Sequence, residues 1–124
     1  MSELIYTYDE ESDTLAITFP PAEKATGIEL TDHIIVHINK VARRIVRITL
    51  LDYSLLVQQT VFGPRTFPLT GLIDLPEDAR DMIMDIVREY PVNDILRIAA
   101  YTPSDGHMIP TILVQPVIST VGTA

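Results

Sequence analysis

Two short runs of alternating residues, 33–38 (His-Ile-Ile-Val-His-Ile) and 45–51 (Ile-Val-Arg-Ile-Thr-Leu-Leu), constrain this chain more than any other feature. Side chains alternate along a strand, so Ile34, Val36 and Ile38 share one side of the first run, as Val46, Ile48 and Leu50 do on the second. These six are expected in the core. Pairing the runs with both apolar sides aligned sets Val36 across from Ile48, His37 from Arg47 and Ile35 from Thr49. The other side then carries His33, Ile35 and His37 against Ile45, Arg47 and Thr49. That mixture is too apolar for a plain wet face and is expected to meet another element or another subunit.

More strands precede these two. Residues 3–8 and 14–19 flank the charged turn Asp9-Glu10-Glu11-Ser12-Asp13, and Pro20-Pro21 ends the second. Residues 25–30 pair with 33–38 about Thr31-Asp32. The stretch 1–54 therefore reads as a five-stranded antiparallel β meander. Residues 55–75 hold no period and contain Gly63-Pro64, Phe67-Pro68 and Gly71, giving a long loop or a series of short turns, which is uncommon without a role. A helix over 76–90 is expected to open at Pro76 with Glu77 and Asp78 in the first turn. Its apolar stripe is Ala79, Met82, Ile83, Ile86, Val87 and Tyr90. A hairpin over 95–115 follows, with Pro110 requiring an edge or a bulge, and 116–124 reads as a tail. The fold class is α+β, in one domain.

Composition narrows the function. The 124 residues include 47% hydrophobic and 21% charged, enough for one core. The absence of cysteine excludes a disulfide framework, a thiolate zinc site and a cysteine nucleophile. Nine basic against seventeen acidic residues give a net charge of -8, which argues against general binding to nucleic acid or anionic membranes. The amino terminus lacks a basic flank with an apolar run, and no run reaches the ~20 apolar residues of a membrane span, so a cytoplasmic location is expected.

Several short segments in order, Tyr8-Asp9, Asp13, Leu15, Ile17, then Ile28-Glu29-Leu30, Ile34-Ile35-Val36 and Ile48-x-Leu50-Leu51-Asp52-x-Ser54, carry a resemblance. Over residues 5–54 the chain resembles a bacterial family, domain of unknown function 2283. The resemblance implies a small all-β unit and supplies no activity. Candidate antitoxins beside toxin genes among its members imply binding, not chemistry. Where the family has an Asp-rich turn with glycine, this chain has Asn39-Lys40-Val41-Ala42-Arg43-Arg44, of reversed charge. Residues 55–124 lie outside the common family core.

No catalytic, cofactor or metal site emerges from the residues. His33 and His37 are four apart, but on a strand that spacing covers about 13 Å, too far for one ion. His107, beside Gly106, reads as a turn residue. The acids at 9–13 lack calcium-loop spacing and read as a solvated turn. No nucleophile elbow, zinc helix or phosphate loop is present, and Asp52 or Ser54 reads as a cap after the fifth strand. Lys40, Arg43, Arg44 and Arg47 make a basic hairpin tip that suits an acidic partner or reads as an ordinary solvated turn. Met84 lies off the helix stripe, among charges. The expected role is a non-enzymatic protein-binding or scaffold module that self-associates or takes another protein partner. Its candidate surface comprises His33, Ile35, His37, Arg43, Arg44, Arg47, Phe62, Arg65, Phe67 and Met84. The alternatives are an antitoxin-like regulator and an enzyme whose sign would be a pocket holding Asp52, a histidine and Tyr8 or Tyr53.

Overall fold

A computed structural model describes residues 4–21, 23–61, 63–101 and 109–116. Five strands, β1 (Ile5–Asp9), β2 (Thr14–Thr18), β3 (Thr26–Thr31), β4 (Ile34–Asn39) and β5 (Arg44–Leu50), form one antiparallel sheet. The order is β1-β2-β5-β4-β3, so the expected sheet forms but not as a simple meander. A meander would set β3 beside β2; instead β5 takes that place and β3 lies at the far edge. Burial accounts for the order. The apolar sides of β2, β4 and β5 are fully buried and occupy the middle, whereas β1 and β3, with few buried side chains, take the edges.

The register of β4 with β5 is the expected one, Val36 with Ile48, His37 with Arg47 and Ile35 with Thr49. All six expected core residues are buried, and five of them join the core cluster; Val46, left unpaired where the register shifts, is buried outside it. Ile45 departs from its assigned side. The register shifts between His37 and Ile38, so that Ile38 faces Ile45, and the extra residue of this bulge turns Ile45 into the core.

The inner side of the sheet shares one apolar cluster with the rest of the chain. Helix α1 is a single turn (Tyr53–Leu56) and α2 spans Glu77–Arg88. Pro76 stands just before α2 as its cap residue, and Glu77 and Asp78 fill the first turn. Met82, Ile83, Ile86 and Val87 are buried as the stripe requires. Tyr90 is not: Glu89 is extended, the helix stops at Arg88, and Tyr90 is 78% exposed. Met84, expected among solvated charges, is half-buried against the core.

The stretch read as a loop is built from short elements. After α1 come β6 (Gln59–Thr60), β7 (Gly63–Pro64), β8 (Phe67–Pro68) and a 3-10 turn at Thr70–Leu72. Its apolar residues anchor it, since Leu56, Leu69 and Leu72 are buried. Gly71 lies directly on β3. A Cβ there would be 1.7 Å from the Glu29 carbonyl oxygen, so only glycine allows this approach.

The carboxyl hairpin is β9 (Leu96–Tyr101) with β10 (Ile109–Val114), paired from Leu96 opposite Val114 to Tyr101 opposite Ile109. The expected edge position of β10 is corrected: β8 adds to its other side, making β10 the middle strand of three. Pro110 is tolerated there because β8 pairs only through Thr111 and Ile112. The Pro110 carbonyl accepts from Leu69 N–H at 3.2 Å on the β8 side, so the missing N–H points to where that strand has ended. The expected turn at 103–106, His107 and the tail from 117 onward lie outside the described residues.

Candidate interaction surfaces and the Asp13 cluster

Two cross-strand rows make the outer face of the five-stranded sheet. One reads Thr7, Ala16, Thr49, Ile35 and Glu29; the other reads Ile5, Thr18, Arg47, His37 and Gly27. None of these ten residues belongs to the core. The chain thus buries one face of the sheet and leaves the other without a packed layer among the described residues. The His37 ring lies over Gly27, 3.4 Å from where a Cβ would stand, and its Nε2 is 3.2 Å from Thr49 Oγ1. Desolvation, helped by the Arg47 charge, holds His37 below the usual histidine range.

His33 does not share this face. It precedes β4 in the turn, where Nδ1 lies 3.1 Å from Asp52 Oδ2 and the ring meets Phe67 edge-on at 6.1 Å between centroids. A second group of polar residues stands at this end of the sheet. Asp13 Oδ1 accepts from the Tyr8 hydroxyl at 2.5 Å and from Ser54 Oγ at 3.0 Å, and Asp13 Oδ2 accepts from the Ser54 N–H at 3.0 Å. Partial desolvation would raise the Asp13 pKa, but these donors outweigh it and hold the carboxyl below its usual range. The same bond raises the Tyr8 hydroxyl. Asp13 and Asp52 both adopt left-handed backbone, with φ of 55° and 54°.

The role expected of Asp52 or Ser54 therefore falls to Asp13. Asp52 stands at the cap position of α1, but its carboxylate turns to His33, and Asp13 reaches across from the β1–β2 turn to the helix start. Nothing local signals this, because 41 residues separate Asp13 from Ser54. Both residues lie within the segment that carries the family resemblance.

The basic hairpin tip is not one patch. Arg44 Nε pairs with Glu23 at 2.8 Å, which lowers the Glu23 carboxyl, and Asn39 closes the turn by accepting from the Val41 and Ala42 N–H groups, each at 3.0 Å. Arg47 belongs to the outer face, while Arg43 is exposed with φ of 55°. Arg43 also lines an open cleft of about 1020 Å³ whose floor includes Phe19, Ile45 and Ile95 and whose walls include Tyr6 and Tyr90. Neither Asp52, His33 nor Tyr8 lines it, so this cleft is not the pocket that an enzymatic reading needs. Arg65 is half-buried and its Nε donates to Gln58 at 3.0 Å. Phe67 pairs opposite Ile112 and packs partly into the core, and Phe62 lies outside the described residues. The candidate residues thus divide: Ile35, His37 and Arg47 share the outer face, whereas His33 and Phe67 meet at the sheet end.

No group of three or more metal-ligating side chains occurs among the described residues, and no helix there is long and apolar enough to cross a membrane. Residues 5–54 match the sequence model of a family described as "Protein of unknown function (DUF2283)". That match covers the five-stranded sheet and the start of α1, including Tyr8, Asp13, Asp52 and Ser54. Neither a curated protein nor a solved structure matches the chain.

Proposed function

We propose that this chain is a cytoplasmic, non-catalytic protein-binding module that self-associates through the outer face of the five-stranded sheet. The observation that carries the reading is the pair of rows just described. Ile35 is half-buried yet outside the core, between Thr49 and Glu29 and next to the desolvated His37. The face carries both signs, Arg47 near its middle and Glu29 on β3, so a second copy can offset each charge with its opposite.

Size sets the strength. Five strands about 4.8 Å apart and about 20 Å long present a plane of roughly 400 Å², below the ~800 Å² per partner of a standard interface, so the contact should be micromolar. The net charge of -8 opposes association, and added salt should therefore strengthen it. Light scattering at tens to hundreds of micromolar tests the reading. The expected result is a dimer that Ile35→Glu dissociates. A monomer throughout that range refutes self-association, and a dimer indifferent to Ile35→Glu removes the outer face from it. The antitoxin-like alternative puts a different small protein on the same face, and its sign is a stoichiometric partner purified with the wild type and lost with Ile35→Glu.

A further inference from the structure

The two edges of the five-stranded sheet are treated differently. The 3-10 turn sits on the backbone of β3, with Gly71 against the Glu29 carbonyl. β1 has β2 on one side and, among the described residues, no strand on the other. Ile5-Tyr6-Thr7-Tyr8-Asp9 is short and ends in the charged Asp9, but it carries no proline, no lysine and no bulge, so nothing within Ile5–Tyr8 blocks pairing along the edge. Ile5 is 53% exposed and Tyr6 43%.

The backbone groups that point outward can be deduced. The Phe19 N–H donates to the Val46 carbonyl at 2.9 Å, toward β5. Successive residues of a strand alternate the side to which their N–H and C=O point, so Leu15 and Ile17 also face β5, and Thr14, Ala16 and Thr18 face β1. Their partners across the ladder are Asp9, Thr7 and Ile5. The remaining pair, Tyr6 and Tyr8, therefore turn their N–H and C=O groups away from the sheet.

We infer that β1 pairs antiparallel with β1 of a second copy, about a two-fold axis at Thr7, and joins two five-stranded sheets into one of ten strands. The edge is self-complementary in this register and in no register displaced by one residue. Tyr6 of each copy meets Tyr8 of the other, and their two N–H and two C=O groups on each side form four hydrogen bonds. Thr7 meets Thr7 of the other copy in the closely spaced, non-bonded position. The tyrosine pairs lie on the inner side, and the outer faces join into one surface of twice the width. This inference rests on the premise it shares with the proposed function, that the chain self-associates; because Thr7 also stands in a row of the outer face, protection of the Tyr6 and Tyr8 amides is the readout that belongs to the edge alone.

Charge at the axis tests it. Thr7 is exposed, and its side chain contributes nothing to the core, so Thr7→Lys and Thr7→Glu should fold as the wild type does. Each variant alone sets like charges against each other, and its dimerisation should weaken at least tenfold by light scattering. An equimolar mixture should recover dimer, seen as the mixed species by native mass spectrometry. In the wild type, hydrogen exchange at the Tyr6 and Tyr8 amides should slow as concentration rises. Dimers unchanged in both variants, or a mixture that stays monomeric, overturn the inference. If the Thr7 variants remain dimeric while Ile35→Glu dissociates, the edge fails and the outer face stands; the reverse pattern has the opposite meaning, and if both dissociate, wild-type Tyr6 and Tyr8 amides that exchange equally fast at all concentrations overturn the edge. A wild type that is monomeric at all concentrations overturns both.

Discussion

Removing the Asp13 carboxylate should loosen α1 from the first hairpin, and the cost can be worked from the contacts. Asp13→Ala deletes the acceptors of three hydrogen bonds, from the Tyr8 hydroxyl and from the N–H and Oγ of Ser54. A net bond contributes about 1 kcal/mol, and these donors can be rehydrated, so the three together should be worth about 2 kcal/mol. Alanine also fits the left-handed backbone at φ 55° less well than aspartate, adding about 1 kcal/mol. The expected loss is about 3 kcal/mol, a large part of a stability of ~5–15 kcal/mol. Asp13→Asn tolerates the backbone and keeps one acceptor, so its loss should be about 1 kcal/mol. Urea unfolding followed by circular dichroism measures both, and the slope should not change. A carboxyl held below its ordinary value of 3.8 contributes stability that is present above that value and lost as pH falls through the folded one. The gap between wild type and Asp13→Ala should therefore shrink below about pH 4. Equal losses in the two variants, or a loss under about 1 kcal/mol in Asp13→Ala, would refute the argument.

Gly71→Ala should destabilise the fold by about 1–3 kcal/mol, because the 3-10 turn must lift from β3, whereas Gly27→Ala, with the His37 ring at 3.4 Å and Ile35 Cγ2 at 3.8 Å, should cost little; thermal melts compare them. Ile83→Asp places a carboxylate at a fully buried site and should cost several kcal/mol, enough to unfold the chain. Half-buried Met84→Asp should leave it folded with a loss of about 1 kcal/mol, and equal losses in urea titrations would contradict the helix orientation. His37 is held below 6.5 in the fold, so the unfolded chain binds its proton first and stability should decline as pH falls through 6.5. The same step should weaken the proposed dimer by adding charge beside Arg47, and His37→Gln should flatten both profiles between about pH 5 and 6.5.

Alternation by itself determined the sides of β4 and of β5 from Arg47 onward, and their register over that stretch, because a slip of one residue would have moved Ile34, Val36 and Ile38 into water. The helical stripe likewise determined α2 up to Val87, and the matched segment 5–54 placed Tyr8, Asp13, Asp52 and Ser54 within one unit. Tertiary structure decided what depends on distant partners. Strand order followed from total burial and not from succession, so β5 entered beside β2 and the expected meander did not form. Ile45 reached the core through a bulge that has no signature in an alternating run. The stretch 55–75 has no period of its own, and its short strands and turns exist because Leu56, Leu69, Leu72 and Phe67 find an apolar layer already built by other parts of the chain. Asp13 capped a helix that begins 40 residues later, and His33 left His37 for Asp52 and Phe67. Local periodicity is a property of neighbouring residues and can be read along the chain, whereas a cap, a bulge or an open edge is fixed only when segments far apart in sequence meet.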